Sequence, residues 1–460
     1  MKVLLLVVLL LSGALAQAKN VILFVGDGMG ISTVTAARIY AGQKQGLAGE
    51  EYQLSFDKFG NVALIKTYNT DAQVADSAGT ITALMTGEKT KIGVLGVSDQ
   101  VLQGNCVSAL QAERPTLLEL AEVMGKQTGI VTTTSITHAT PAGAYAHSAS
   151  RNWESDATLP AEAAAAGCRD IARQLAEFSF GDGPEVVLGG GRAHFLPQSE
   201  VDPEYPDVKG VRQDGRNLIT DWQAAGKARQ YVWNQSQFDA LDPQASGQVL
   251  GLFEPSHLKF EADRATDAQG EPALVAMTDF AIRKLQHARQ GYFLLVEGGR
   301  IDHGHHAGNA YRALEDAVAL DAAVARAVEL VDLADTLIIV TADHSHTLTI
   351  SGYPTRGNPI LGKVVPPDSR LFAGDAPPPY TTLSYANGPG YQSGFPDLTE
   401  VDTQAHDYRQ IAAVPLPSET HAGEDVAAFA EGLNATGVRG VMEQNRLFHV
   451  MHEALFGKGR

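Results

Sequence analysis

Residues 291–308, GYFLLVEGGRIDHGHHAG, join an apolar run to a dense cluster of ligand-type side chains. Residues 292–296 are too few to cross a membrane and too uniformly apolar for a half-exposed strand, so they predict a strand buried on both faces. Glu297 ends the run, and Asp302 and His306 follow at a spacing of four, which places them on one face if the segment is helical. Carboxylates and imidazoles in this arrangement indicate a divalent metal site, preferably for zinc. The alternative is a polar loop with histidines at the surface.

Two further apolar runs end in the same kinds of residue. Residues 21–25, VILFV, are followed by Asp27, and residues 337–340, LIIV, are followed by Asp343 and His344. Other stretches of the chain carry apolar residues at every third or fourth position, which is typical of helices with one buried face. Strands that alternate with helices predict an α/β fold with a central, mostly parallel sheet and helices on both faces. Ligands of such sheets bind beyond the carboxyl ends of the strands, where we expect the metal site.

The predicted sheet brings several acids and imidazoles to one edge. They are Asp27, Glu297, Asp302, His306, Asp343 and His344. Buried acids repel one another unless cations pair with them, so we expect more than one metal. Paired metals about 4 Å apart stabilise the attacking and leaving oxygens of a phosphoryl transfer. The spacing alone leaves a phosphatase, a sulfatase and a phosphodiesterase open.

The composition limits the partners. The chain of 460 residues is 44% hydrophobic and 19% charged, with a formal net charge of -18. These values describe a globular protein and argue against nucleic acid and anionic membranes as partners. If the substrate is an anion, metal ions must supply the local positive potential.

The N-terminal residues 1–18 predict a secretory signal, because Lys2 precedes an apolar run that ends in small residues. The mature protein would then begin near Lys19, and the C-terminus carries no hydrophobic anchor tail. Export permits a disulfide. The two cysteines, Cys106 and Cys168, either form one or remain unpaired thiols.

Four further segments give coarser expectations. Residues 197–248 are polar and irregular, and residues 352–396 are rich in glycine and proline, so we expect surface insertions at both places. The alanine-rich residues 157–178 predict a helix, and we expect a final helical region after residues 420–425.

A serine and an arginine are candidates for the chemistry. Residues 76–87, DSAGTITALMTG, predict a helix that Asp76 or Ser77 caps and Gly87 ends. Local sequence alone favours a capping role for Ser77, although a helix N-terminus also favours an alkoxide and a bound phosphate. Arg151 could clamp an oxyanion bidentately, while a surface salt bridge is the ordinary alternative.

Six motifs, in this order along the chain, resemble the alkaline phosphatase family. They are VGDGMG at 25–30, DSAGTITALMTG at 76–87, THATP at 137–141, VEGGRIDHGHH at 296–306, TADHSH at 341–346 and THAGEDV at 420–426. The chain is most similar to the animal branch, because His138 and His303 stand where the best-known bacterial enzymes have Asp and Lys. The resemblance implies an exported homodimeric phosphomonoesterase, periplasmic or secreted, whose catalytic domain spans residues 19–460.

The resemblance also implies roles for individual residues. Ser77 would be the nucleophile that becomes phosphorylated, and Arg151 would hold the phosphate oxygens of substrate and of inorganic phosphate. One zinc would bind to Asp302, His306 and His421, and a second zinc to Asp27, Asp343 and His344. Magnesium would bind to Asp27, Thr140 and Glu297, with His138 and His303 close by. His346 would support the zinc pair.

Three further features are implied in the same way. A structural calcium site would be formed by Glu204, Phe253, Glu254 and Glu271. Tyr353 would reach towards the partner subunit, and Cys106 and Cys168 match a disulfide of the family.

Three alternatives remain. A sulfatase needs a modifiable Cys or Ser in a C/S-x-P-x-R setting, which the residues after Ser77 do not provide. A phosphodiesterase would normally lack the Arg151 clamp. An exported phosphate- or zinc-binding protein without catalysis has no need for a serine at a helix start that faces two metals.

Overall fold

The computed structural model describes residues 19–368, 378–394 and 396–457. The predicted signal, residues 1–18, therefore lies outside the described residues, as do residues 369–377 and 395 of the expected second insertion.

Apolar runs bounded by glycine or polar residues form most of the strands. In the described residues these are β1 (Asn20–Gly26), β2 (Asn61–Lys66), β3 (Gln127–Ser135), β4 (Val186–Gly190), β5 (Gln230–Val232), β6 (Val249–Leu252), β7 (Tyr292–Gly298), β8 (Thr336–Ala342), β9 (Ser345–His346), β10 (Leu348–Ile350), β11 (Leu383–Gly388), β12 (Ala412–Pro415), β13 (His421–Ala422), β14 (Val426–Gly432) and β15 (Gly440–Glu443).

Helices fill the chain between these strands. They are α1 (Ile31–Lys44), α2 (Ser77–Thr86), α3 (Cys106–Leu110), α4 (Leu117–Val123), α5 (Ala139–Ala142), α6 (Ala161–Ala165), α7 (Ile171–Ala176), α8 (Leu218–Ala224), α9 (Gln235–Asp239), α10 (Leu274–Leu285), α11 (Arg300–His306), α12 (Ala310–Leu330) and α13 (Arg446–Phe456). Short 3-10 turns occur at Ser55–Lys58, Arg192–Phe195, Arg264–Thr266 and Ala435–Gly437.

The centre of the fold is a ten-stranded sheet with the order β15-β2-β14-β8-β1-β7-β3-β4-β6-β5. Neighbouring strands run parallel except where β14 pairs with β2 and β8. Strands β7 and β8 are buried along their whole length, as uniformly apolar runs require. The prediction of a central, mostly parallel sheet is confirmed.

The register of the three middle strands decides where the acids meet. Gly26 of β1 is level with Gly298 of β7 on one side and with Ala342 of β8 on the other. Asp27 and Asp343 follow directly, and Glu297 precedes Gly298 by one residue. These carboxylates therefore share the carboxyl edge of the sheet, as predicted.

Two groups of helices cover the sheet. In one group, α1, α10 and α11 pack against α12, and α12 contacts β1 and β7. In the other, α2 packs against α4, α5 and α13, and α13 contacts β1. Because α12 and α13 belong to separate groups and both touch β1, helices lie on both faces of the sheet.

Three coarse expectations need correction. The alanine-rich segment forms α6 and α7, since Gly167, at φ 101°, interrupts the helix between them. Residues 197–248 are not wholly irregular, because they contain α8, α9 and the sheet strand β5, which are too short to show a period. Strands β14 and β15 stand between residues 420–425 and α13, so no helix follows that motif directly.

Two small sheets lie beside the large one. Strand β11, from the expected second insertion, pairs with β10 and β12. Strands β9 and β13 pair so that His346 stands opposite His421. Among the described helices, none is both long enough and apolar enough to cross a membrane.

Candidate active site and metal centre

Side chains from five elements or their adjoining turns meet at the carboxyl edge of the sheet. Asp27 follows β1, and Asp343 and His344 follow β8. Helix α11 carries Asp302 and His306 and begins soon after β7. Ser77 is the first residue of α2, and His421 comes from β13. The expected helical spacing of Asp302 and His306 is therefore present.

The first ligand group is Asp302, His306 and His421. Asp302 Oδ1 lies 3.4 Å from His306 Nε2 and 3.3 Å from His421 Nε2, and these two nitrogens are 3.2 Å apart. The family resemblance implied that these residues bind one zinc, and the fold brings all three together.

The second ligand group is Asp27, Asp343 and His344. His344 Nε2 lies 3.4 Å from Asp27 Oδ1 and 3.3 Å from Asp343 Oδ2. The backbone N–H groups of Gly28 and His344 donate to Asp343 Oδ1 over 3.0 and 2.9 Å, which fixes that carboxylate. Both acids and the histidine are fully buried.

The ligand histidines share one orientation. The Nδ1–H groups of His306, His421 and His344 donate to backbone carbonyls, at 2.5 Å to Glu419, 2.8 Å to Ala75 and 3.4 Å to Ser345, respectively. Each Nε2 atom therefore carries its lone pair towards the centre of the site. This arrangement is typical of histidines that bind metal ions.

A third ligand group joins Asp27 to His138 and Glu297, whose ligand atoms lie within 4.8 Å of one another. Glu297 Oε2 accepts hydrogen bonds from the hydroxyls of Thr132 and Thr134. Thr140, an expected magnesium ligand, is buried, and its hydroxyl has no hydrogen-bond partner within the described chain.

His138 and His303 lie beside the third group. Their rings are 5.5 Å apart, and His303 Nδ1 accepts a hydrogen bond from Arg300 over 2.9 Å. His257, which the sequence did not single out, lies 4.3 Å from His303 and 5.4 Å from His138 between ring centres.

The site accumulates negative charge where water is excluded. Burial, together with the charges of Asp343 and Asp302, raises the pKa of Asp27 well above its ordinary value. Burial likewise raises the pKa of Glu297 to about 7 and raises that of Asp343. Burial lowers the pKa of His344 and His138 well below the ordinary value. The positive groups of the protein therefore do not neutralise the negative charge of these buried acids.

The residues fit divalent cations. Asp27 Oδ2, Glu297 Oε1 and the Thr140 hydroxyl are buried and, within the described chain, have no hydrogen-bond partner. Such atoms cost free energy unless a ligand satisfies them. The facing lone pairs of His306 and His421 also repel each other unless a cation lies between them. Imidazole and carboxylate donors suit zinc, and the oxygen donors around Glu297 suit magnesium.

Ser77 lies against the second ligand group. Its Oγ atom is 3.1 Å from His344 Nε2 and 3.5 Å from Asp27 Oδ1. Asp76 is the N-cap of α2, and its side chain accepts a hydrogen bond from the Gly79 N–H over 3.0 Å. Of the two residues that the sequence offered as the cap, Asp76 is therefore the one that caps the helix. The Ser77 hydroxyl is therefore free for chemistry.

Arg151 links the cap to the third group. Its guanidinium donates to Asp76 Oδ2 over 3.2 Å and to His138 Nε2 over 3.0 Å. This cation at the mouth of the site can bind an oxyanion next to Ser77. A nucleophilic hydroxyl, an oxyanion-binding cation and ligands for several metals thus share one site.

The expected calcium residues form a separate cluster. Glu204 and Glu254 come together with Asp267, which the sequence analysis missed. Burial and Glu254 raise the pKa of Glu271 to about 9, so that acid faces the same cluster. Phe253 is buried beside Glu254. The sequence around Asp267 is polar and contains no pattern that predicts a position of Asp267 beside Glu204 and Glu254.

The other expected residues lie farther away. Cys106 and Cys168 form a disulfide with Cα atoms 5.9 Å apart, which excludes the unpaired thiols. Tyr353 is 67% exposed.

The sequence analysis also missed Glu419, although it lies two residues before His421. Glu419 Oε2 is 2.5 Å from His346 Nδ1, and His346 Nε2 is 2.7 Å from Asp302 Oδ1. His346 therefore contacts the first ligand group through Asp302.

Comparisons with known proteins agree with this geometry. A family model described as alkaline phosphatase matches residues 18–456. The tissue-nonspecific isozyme of alkaline phosphatase from Gallus gallus is 49% identical over 453 residues, covering 96% of this chain and 86% of the relative. An alkaline phosphatase of Gadus morhua is 46% identical over 454 residues, covering 96% of this chain and 93% of that protein.

Solved structures share the fold. Thermus thermophilus alkaline phosphatase superposes with a TM-score of 0.68 at 25% identity, covering 99% of this chain and 97% of that one. The alkaline phosphatase of the Antarctic bacterium TAB5 gives a TM-score of 0.65 at 22% identity, covering 96% of this chain and 100% of that one.

Proposed function

Because the chain belongs to the alkaline phosphatase family and is a metal-binding phosphomonoesterase, we propose that it hydrolyses phosphate monoesters through a phosphoserine on Ser77, with two zinc ions and one magnesium ion. The observation that carries this proposal is the position of Ser77 Oγ, 3.1 Å from His344 at the start of a buried helix. A serine that served only as a helix cap would not need to contact a metal-ligand group.

We assign the metals by the ligand groups. Asp302, His306 and His421 would hold one zinc, and Asp27, Asp343 and His344 the other. Asp27, Thr140 and Glu297 would hold magnesium, with His138 and His303 beside it. When bound, these ions supply the Lewis acidity that favours a serine alkoxide and lowers the pKa of water.

The chain's own residues position the reaction. Ser77 Oγ attacks phosphorus in line, the ester P–O bond breaks, and the alcohol leaves with a proton. Water then attacks the phosphoserine, releases inorganic phosphate and restores the Ser77 hydroxyl. Arg151 donates to the nonbridging oxygens in both steps, and the N–H groups at the start of α2 add positive potential.

Several features beyond the reaction belong to the same proposal. Residues 1–18 direct export to the periplasm or the medium, and residues 19–460 form the catalytic domain with insertions near 197–248 and 352–396. The protein forms a homodimer in which Tyr353 reaches the partner. Calcium binds at Glu204, Phe253, Glu254 and Glu271, with Asp267 as a further candidate from the same cluster.

The Ser77→Ala substitution tests the nucleophile. We expect turnover of p-nitrophenyl phosphate to fall about 10³-fold or more, because the covalent step is lost. Metal content by elemental analysis should stay at the wild-type level, and labelled phosphate should no longer be trapped on acid-quenched protein. Ser108→Ala, on the remote helix α3, is the control. Ordinary turnover by Ser77→Ala would exclude Ser77 as the nucleophile.

A further inference from the structure

Glu419 is a buried acid that contacts two parts of the candidate metal centre. It is 1% exposed and lies in the segment between β12 and β13. Its backbone pairs with His306, because the Glu419 N–H donates to the His306 carbonyl over 3.0 Å and the Glu419 carbonyl accepts from His306 Nδ1 over 2.5 Å. Its side chain contacts His346. The residue has no part in the reaction derived above.

His346 differs from the ligand histidines in its surroundings. His306, His344 and His421 each direct Nδ1 to a backbone carbonyl, whereas His346 places Nδ1 on the Glu419 carboxylate and Nε2 on the Asp302 carboxylate. His346 therefore bridges the two carboxylates, with one ring nitrogen turned to each.

The bridging position matters because His346 lies beside the candidate metal ligands. Its ligand atom is within 4.8 Å of those of Asp302, His344 and His421. Its Nε2 atom lies 2.7 Å from Asp302 Oδ1, and this contact restricts the orientation of the Asp302 carboxylate.

The Glu419 carboxylate is itself held firmly. Oε1 accepts from the Thr347 N–H over 2.7 Å and from the Thr347 hydroxyl over 2.6 Å. Behind it, a side-chain carbon on Gly388 would lie 2.9 Å from Glu419 Cβ, so the backbone of β11 packs directly against the residue. The carboxylate has little freedom to leave His346.

We propose that Glu419 is a positioning residue for the first ligand group, which acts through His346 to hold Asp302 in place. The inference rests on the proposed function, in which this group binds zinc. Partners that orient ligands in this way typically change metal affinity by about 10–100-fold when they are removed.

The isosteric variant Glu419→Gln tests the side chain, and the backbone contacts to His306 remain. Zinc-loaded protein is mixed with a chromophoric chelator, and the release of both ions is followed in time. We expect the ion of the first ligand group to leave about 10–100-fold faster and the other ion to leave at the wild-type rate. The affected phase is identified as the one that His421→Gln removes.

Glu119→Gln is the matched control. Glu119 is 2% exposed and bonds to an imidazole, His147, over 2.8 Å, but neither residue lies in a ligand group of the described chain. Its release rates should equal those of the wild type. If Glu419→Gln released both ions faster to the same degree, or released neither faster, the inference would be overturned.

A double variant separates positioning from general structure. If Glu419 acts through His346, adding Glu419→Gln to His346→Gln changes release no more than about twofold, since the shared path is already lost. Independent, multiplying effects would contradict the inference. Failure of the wild type to bind two zinc ions would instead contradict the proposed function, so the two failures are distinguishable.

Discussion

Arg151 shows how single residues at this site carry more than one contact. Its guanidinium spans the helix cap at Asp76 and the imidazole of His138, at 3.2 and 3.0 Å. A planar fork can keep one such contact and still offer N–H groups to a phosphate. A lysine at this position could supply charge but not this geometry.

We therefore expect Arg151→Lys to weaken inhibition by inorganic phosphate about tenfold, the effect of losing one charge-assisted hydrogen bond. Metal content should not change, because Arg151 is no metal ligand. Inhibition constants at fixed zinc and elemental analysis measure the two quantities. Arg326→Lys, which alters a surface contact to Asp279 and Glu329, is the control. Unchanged phosphate inhibition would contradict the role of Arg151.

Individual ligand residues were predictable from the sequence where they directly follow a buried strand. Asp27 and Asp343 follow apolar runs, so their meeting followed from the rule for parallel sheets. Glu419 and Asp267 follow no such run, and His257 lies five residues beyond β6. Glu419 reaches His346 only because β13 pairs with β9, and a two-residue strand leaves no pattern in a sequence.

Among the helices and strands, α2 links the stability of the fold to the chemistry of the candidate active site most directly. Asp76 caps it, and the same carboxylate accepts from Asn69, Gly93 and Arg151. A side-chain cap satisfies an N–H group that the first turn leaves without a partner. The cap thus orients both the helix that presents Ser77 and the arginine beside it.

We expect Asp76→Ala to lower the free energy of unfolding by about 0.5–2 kcal/mol, the usual effect of losing a cap. Asp76→Asn can still accept from Gly79 and should lower it less. Both variants should weaken phosphate inhibition, since both leave Arg151 without its ionic partner. Denaturant unfolding and phosphate titration test the two effects. Equal stability of the two variants would show that the cap contributes nothing.

Long elements were predictable and short ones were not. Strands β1, β7 and β8 and helix α12 each contain a full apolar run or several turns, so one period dominates. Helices α6 and α7 and strand β5 span three to six residues, which is less than two helical turns. Strand β14, VAAFAEG, is rich in alanine, yet it pairs with both β2 and β8, and that pairing decides its conformation.

Across the whole molecule, the sheet separates the metal centre from a second group of buried acids. Glu185 precedes β4 at the amino edge of the sheet, where it accepts from the Thr128 N–H over 2.8 Å. Burial raises the pKa of Glu185 to about 8, and Glu122 nearby raises it further in the same direction. The folded protein thus keeps a proton that the unfolded chain would release.

This proton makes stability depend on pH. The stabilising contribution of protonated Glu185 is complete below the unfolded pKa of about 4.5 and is lost as the pH rises towards 8. Glu185→Gln stays neutral, so we expect it to unfold at the wild-type temperature at pH 5 and at a higher temperature at pH 9. Glu329→Gln, at a side chain 63% exposed, should not show this difference. A wild type as stable as Glu185→Gln at pH 9 would contradict the prediction.

The chain has a formal net charge of -18. An acidic protein of this kind attracts an anionic ester only if cations line its site, so the proposed activity depends on bound metal ions. The most direct measurement is hydrolysis of p-nitrophenyl phosphate between pH 7 and 10, before and after chelation and after zinc and magnesium are restored. We predict alkaline activity that disappears on chelation and returns with zinc. Activity that survives complete removal of the metals, or no activity in metal-loaded protein, would contradict the account.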